Sequence, residues 1–293
     1  MIHLFYKSII IAMISICLFA FSLNADSKKQ GIKIAILPCT NLVMTFKKFH
    51  PLVEYLARET ELKVELMVPK DFAEFKSEIK NGEIDFALQD PHTYVKLVDL
   101  FDQGNLLKAL SMEGGATQYG VVIVRKDSRI TDIKDLKGKT VMFGPTLSSA
   151  KWLAARILFE DNGINLEKDL KAYSHGGCCE DIAFSVYLKA VDAGVVCDHF
   201  LAEHEEKQKE LGVVAEQILP LIRTKSVPSR VFGARTNLNK DLVTRVEEAL
   251  LKLDNKNPQH ASILARAELG GFRRSQDDDY DSVRRLMTLT SGY

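Results

Sequence analysis

A strand, helix, strand order that appears twice constrains this chain more than any other feature. GIKIAILP (31–38) is a short apolar strand that stops at Pro38, and Phe46, Phe49, Leu52, Val53 and Leu56 then recur at helical spacing. KVELMVP (63–69) reads as a second strand, DFAEFKSEIKNG as a short helix closed by Asn81-Gly82, and IDFALQ (84–89) as a third strand. The same grammar returns in LKGKTVMFGPTLSSAKWLAARILFEDNGI: a strand over 139–143, a glycine-containing loop, a helix over 149–161. A helix over about 180–190 and a strand in AVDAGVVCDHF follow. Such alternation dictates right-handed α/β units around mostly parallel sheets.

Two copies of that unit make two lobes. QYGVVIVRKDS (118–128) and VPSRVFGARTN read as extended segments that carry the chain across and back, so the expected shape is a clamshell with a two-crossover hinge. The expected divisions are a leader at 1–25, a first part of lobe 1 at 26–120, lobe 2 at 121–225, and a return to lobe 1 with terminal helices at 226–293. The leader, one lysine followed by a long apolar run ending Asn24-Ala25, has the pattern of a secretory signal peptide cleaved after Ala25. An uncleaved anchor is the competing reading of the same run. Lysine plus arginine and aspartate plus glutamate number 39 each, which removes the electrostatic case for nucleic acid. A monomer without a cofactor is expected.

In two-lobed α/β proteins, ligands sit beyond the carboxyl ends of the strands. Four loops meet that condition: PCTNLV (38–43), QDPHTY (89–94), FGPTLSSA (143–150) and YSHGGCCEDIAF (173–184). Helix N-termini on two of them favour an anion, with hydroxyls from Ser148 and Ser149 as further donors; ordinary capping competes for Ser148, and the same question attaches to Thr93 and Tyr94. FGPTLSS lacks the Gly-Lys-Ser/Thr ending of a nucleotide phosphate loop, and no G-x-S-x-G elbow is present. His50 and Trp152 read as structural.

The stretches GIKIAILP, FHPLVEYLARET, NGEIDFALQDPHTYV, QYGVVIVRKDSRITDIKDLKGKTVMFGPTLSSAKWL, VDAGVVCD and DDDYDSVRRL together resemble the phosphonate/phosphate-type periplasmic binding proteins of ABC importers. The resemblance implies a type II-like clamshell in the periplasm that closes on a small oxyanion and is read by a membrane permease. It puts the hydroxyl-rich helix start on Ser148, Ser149 and Ala150, so one hydroxyl is missing, and Lys151 where glycine is common. It puts a cleft tyrosine on Tyr94, and a histidine-plus-acid pair near Cys179 and Glu180, with His175 the nearest histidine.

That departure turns attention to the cysteines. Cys39, His92, His175, Cys178 and Cys179 all fall on cleft-facing loops, with Cys197 and Asp198 at a strand end near the same gap. Three readings stand: a disulfide, such as one between Cys197 and a member of the pair; recognition of a thiophilic species; and packing of buried thiols. The second fits regulatory members of the resembled group that sense arsenite through cysteine and signal to a membrane sensor kinase. The spacing C-C-x₁₇-C matches no standard zinc site. Cys179 with His175 as nucleophile and base is the outlying enzymatic reading.

Overall fold

A computed structural model describes residues 31–37, 42–202 and 217–290. The leader and Cys39 lie outside the described residues. The first unit runs β1 (Gly31–Ile36), α1 (Leu42–Thr60), β2 (Lys63–Met67), α2 (Phe72–Lys80) and β3 (Phe86–Gln89), in the order expected from the apolar periodicity. α2 begins where the Asp71 carboxylate accepts the Glu74 backbone N–H at 2.9 Å. It ends at Asn81, followed by Gly82 at φ 73°, a conformation that glycine adopts without strain.

From β3 the chain turns directly into α3 (Pro91–Lys96), with Pro91 in the first turn, where its missing N–H costs no helical bond. β4 (Phe101–Leu110) follows, and then the first crossover, β5 (Thr117–Gln118). The second lobe contains β6 (Gly120–Arg125), β7 (Thr140–Phe143), a π-helical turn at Ser149–Ala154 continuing as α4 (Ala155–Asp161), α5 (Leu166–Asp169) and β8 (Ala172–His175). It continues through α6 (Cys179–Tyr187), β9 (Ala193–Cys197), α7 (Asp198–Ala202) and β10 (Ile218–Arg223). The return strand β11 (Val227–Pro228) leads to β12 (Val231–Arg235), α8 (Lys240–Leu251), α9 (Pro258–Ala267), β13 (Gly271–Ser275) and α10 (Asp281–Thr290).

The first sheet has the order β13-β4-β12-β3-β1-β2 and the second β10-β6-β9-β7-β8. Parallel pairs β1–β2 and β1–β3 lie beside antiparallel pairs involving β12, β4 and β13, so four of the six strands share one direction. In the second sheet four of five do, β6 being the reversed strand. The strands are therefore mostly parallel in direction, with an antiparallel strand wherever the chain has crossed between lobes. The two crossovers pair with each other, Val227 opposite Gln118 and Pro228 opposite Thr117. Each crossover is thus held by the other.

Each sheet is covered on both faces. Phe49, Leu52 and Leu56 of α1 and Val246 and Leu250 of α8 pack on one face of the first sheet, and Phe75, Tyr94, Phe101 and Tyr280 lie on the other. Phe143, Phe159 and Ile164 fill one side of the second sheet, and Ile182, Val186 and Phe200 the other. Gly194 on β9 permits the last of these contacts: a Cβ there would lie 2.5 Å from the Ile182 side chain. No described helix is long and apolar enough to cross a membrane.

Candidate functional site

The carboxyl ends of β3 and β9 face each other across a cavity of about 160 Å³ between the lobes. Sites for drug-sized molecules occupy roughly 300–1,000 Å³, so this space suits a small solute. Gln89, Asp90 and Thr93 line it from the first lobe, and Ser148, Lys151 and Cys197 from the second.

On the first-lobe side, Asp90 is the N-cap of α3 and accepts the His92 backbone N–H at 2.8 Å. The same carboxylate oxygen accepts the Ser149 backbone N–H at 2.9 Å, so one buried acid ties both lobes together. Burial raises its pKa to about 6, against the lowering effect of those N–H bonds. Thr93 is fully buried, and its hydroxyl has no hydrogen-bond partner; neither amide atom of Gln89 has one. Tyr94, the next residue on a six-residue helix, is turned about 100° away and enters the lobe core instead. Its hydroxyl donates to Asp277 at 2.7 Å, and burial pushes its pKa far up. Tyr94 therefore does not line the cavity, where the resemblance had put a cleft tyrosine. His92 is buried behind the wall and meets the Thr146 backbone of the opposite lobe; burial lowers its pKa to about 4.

The opposite wall is built on the turn at Ser149–Ala154. A continuous α-helix is expected there, but the turn opens to π geometry, and the Leu153 N–H reaches the Ser148 carbonyl at 3.2 Å. The wider turn accommodates Lys151, whose stem lies where a side chain at Gly144 would stand: a Cβ there would meet Lys151 Cβ at 2.4 Å. Ser148 caps this turn, its hydroxyl accepting the Lys151 backbone N–H at 3.1 Å while the oxygen keeps its own proton to donate. Ser149 is buried behind it and presents its backbone N–H to Asp90.

Lys151 is 4% exposed, and its ammonium lies 3.7 Å from Cys179 Sγ. The Cys179 sulfur accepts the Cys197 backbone N–H at 3.2 Å. A side-chain hydrogen bond with Cys197 first, and the Lys151 charge next, lower the Cys179 pKa against the opposing effect of burial. Cys178, Cys179 and Cys197 all carry free thiols, so of the three readings of the cysteines the disulfide between Cys197 and one of the pair is not formed. Cys178 serves as the N-cap of α6, accepting the Asp181 N–H at 3.4 Å, and burial raises its pKa. Glu180, in the first turn of α6, is half-buried and opposes ionisation of Cys179.

His175 is not part of the cavity. Its Nδ1 is 2.8 Å from the Gly144 carbonyl and its ring packs edge-on against Trp152. The pairing of Cys179 with His175 as nucleophile and base is therefore corrected: Cys179 is engaged by Cys197 and Lys151, and His175 is held elsewhere. Asp198 lines a second, adjoining cavity of about 110 Å³.

Several cavity groups lay outside the sequence reading. Lys48 of α1, bonded to Glu268, and Arg230, between β11 and β12, line the cavity, and Gln118 lines it from the first crossover. A hinge segment borders the cleft by construction, so Gln118 and Arg230 had a signal in their position. His199 lines both cavities, and enclosure by the cavity walls together with the Arg230 charge lowers its pKa. Lys48, Lys151 and Arg230 outnumber Asp90 and Glu268 among the ionisable cavity side chains that carry charge, and the balance favours an anion.

A family model for the periplasmic substrate-binding protein of phosphonate ABC transporters matches residues 34–280. The chain is 23% identical over 284 residues to the phosphonates-binding periplasmic protein of Escherichia coli K12, covering 94% of this chain and 81% of that one. It is 24% identical over 294 residues to the phosphate-import protein PhnD of Mycolicibacterium smegmatis, covering 92% and 88% respectively. The structure of PhnD1 from Prochlorococcus marinus in complex with methylphosphonate superposes with a TM-score of 0.78 at 14% identity, over 90% of this chain and 99% of that one, a likeness of fold. Two mixed α/β lobes, a paired-crossover hinge and a family match across nearly all the described residues lead to one conclusion: the chain belongs to the phosphonate-type periplasmic substrate-binding proteins of ABC transporters.

Proposed function

We propose that this protein captures a small phosphorus oxyanion, such as a phosphonate, phosphate or phosphite, between its lobes in the periplasm and delivers it to an ABC permease. The observation that carries the reading is the set of unmet polar groups on a small, cation-lined cavity. Gln89 and Thr93 have buried polar atoms without partners, and Lys151 and Ser148 face the same space. Leaving a buried polar group unsatisfied costs about 1–3 kcal/mol, and an oxyanion would satisfy several at once. Asp90 adds selectivity: a buried carboxylate beside the anion favours a ligand that can donate a proton to it, as a singly protonated phosphonate or phosphate can. Closure would bury the ligand in a low-dielectric space, and the permease would read the closed form.

The test is thermal unfolding of the chain lacking residues 1–25, dialysed free of ligand, with phosphate, phosphite and methylphosphonate against chloride and acetate. The reading predicts an upward shift with at least one phosphorus oxyanion and none with the controls. Equal behaviour of all five would sink it.

A further inference from the structure

Cys179, Cys197 and His199 form a cluster that the oxyanion reading does not use. One ligand atom from each, the two Sγ atoms and a ring nitrogen, lies within 4.8 Å of the others. Three elements converge there: the first turn of α6, the end of β9 and the start of α7. The thiols are buried, and His199 is 39% exposed and lines both cavities, which provides a route for entry. Two sulfurs and one imidazole are soft to borderline donors, and three ligands suit a low-coordinate d¹⁰ ion.

Charge narrows the choice further. Two thiolates carry −2, and the Lys151 ammonium, 3.7 Å from Cys179 Sγ, returns +1. Among these three groups a monovalent ion closes the balance to zero. From this geometry we infer that Cys179, Cys197 and His199 form a three-coordinate site for a soft monovalent cation of the copper(I) class, set into the second-lobe wall of the cleft. Binding makes two metal–sulfur bonds and one metal–nitrogen bond. Any remaining thiol protons pass to solvent, and no electron is transferred. Cys178 takes no part, since its sulfur caps α6.

The test is anaerobic competition between the reduced protein and bicinchoninate for copper(I), read from the absorbance of the copper–bicinchoninate complex, with silver(I) as a redox-inert parallel. The expected result is one equivalent bound per chain. Cys197→Ser and His199→Gln should each weaken binding by more than about 100-fold, beyond the 10- to 100-fold typical of losing an outer-shell partner. Cys178→Ser, which retains a capping side chain, should bind as wild type does. His199→Gln keeps both thiols and serves if a cysteine variant does not fold. No withdrawal of copper from bicinchoninate by wild type, or equal retention in His199→Gln and Cys197→Ser, would overturn the assignment. So would a Cys179–Cys197 disulfide in protein taken from the periplasm. The titration contains no phosphorus oxyanion, so its failure and that of the transport reading are separate events.

Discussion

The two walls of the cleft use different chemistry to face the same space. The first-lobe wall presents oxygen and nitrogen from a tight strand-to-helix turn: the Gln89 amide, the Asp90 carboxylate and the Thr93 hydroxyl. The second-lobe wall presents an ammonium and a thiol, with a second thiol behind them, around a π-helical turn. The first wall is rigid because Asp90 is its own helix cap, and it therefore suits fixed hydrogen-bond geometry. The second departs from the family resemblance: Ala150 stands where a hydroxyl is expected, Lys151 where glycine is common, and Cys179 near the place of the histidine. The difference suggests that ligand orientation comes from the first lobe, and affinity and any unusual selectivity from the second.

The largest expected effect comes from removing the second wall's charge. Lys151→Met should weaken oxyanion binding by roughly 10- to 100-fold, the loss of a charge-assisted hydrogen bond of about 1.5–3 kcal/mol. Calorimetric titration would check it; unchanged affinity would mean that the ammonium serves Cys179 alone. Thr93→Val on the first wall should cost less, roughly five- to tenfold, because a neutral hydrogen bond contributes about 1 kcal/mol. An effect larger than that of Lys151→Met would reverse the division of labour between the walls.

Tyr94→Phe sharpens the comparison from behind the first wall. It should lower stability by about 1 kcal/mol through loss of the bond to Asp277, with affinity within about twofold of wild type. A large loss of affinity at unchanged stability would return Tyr94 to the cleft.

A separate comparison concerns pH. His92 has a pKa of about 4 in the fold, below the ordinary 6.5, so the stability it contributes is full above pH 6.5 and is lost as the pH falls toward 4. Asp90, raised to about 6, works the other way: its contribution is present at low pH and is lost as the pH rises through 6. The two partly cancel in wild type. His92→Gln should therefore become relatively more stable than wild type as the pH drops from 6.5 to 4, measured by unfolding midpoints. Parallel profiles for the two proteins would remove His92 from the account.

The architecture was legible because apolar periodicity and the Asn81-Gly82 stop are local signals, and β1 through β3 fall within a few residues of where the pattern puts them. The crossovers were legible as extended segments, although their pairing was not. The candidate site was readable by loop but not by side chain. Thr93 and Tyr94 are adjacent on a short helix, and a rotation of about 100° per residue sends one to the cavity and the other to the core. The Asp90 link to Ser149 and the contact of His92 with Thr146 join residues more than 50 positions apart, and they exist only when the lobes meet. The π turn around Lys151 follows from the room at Gly144, which no periodicity reports. His199 was missed because the cysteines drew attention to His175, four residues before Cys179, whereas the fold brings in the histidine two residues after Cys197.

The most direct test of the central claim is calorimetric titration of methylphosphonate, phosphate and phosphite into wild type and the Lys151→Met, Thr93→Val double variant, each shown to be folded. The account predicts saturable one-to-one binding of at least one of these to wild type. It also predicts a loss in the double variant at least as large as that of either single change. Undiminished binding in the folded double variant, or no binding of any phosphorus oxyanion to wild type, would contradict it.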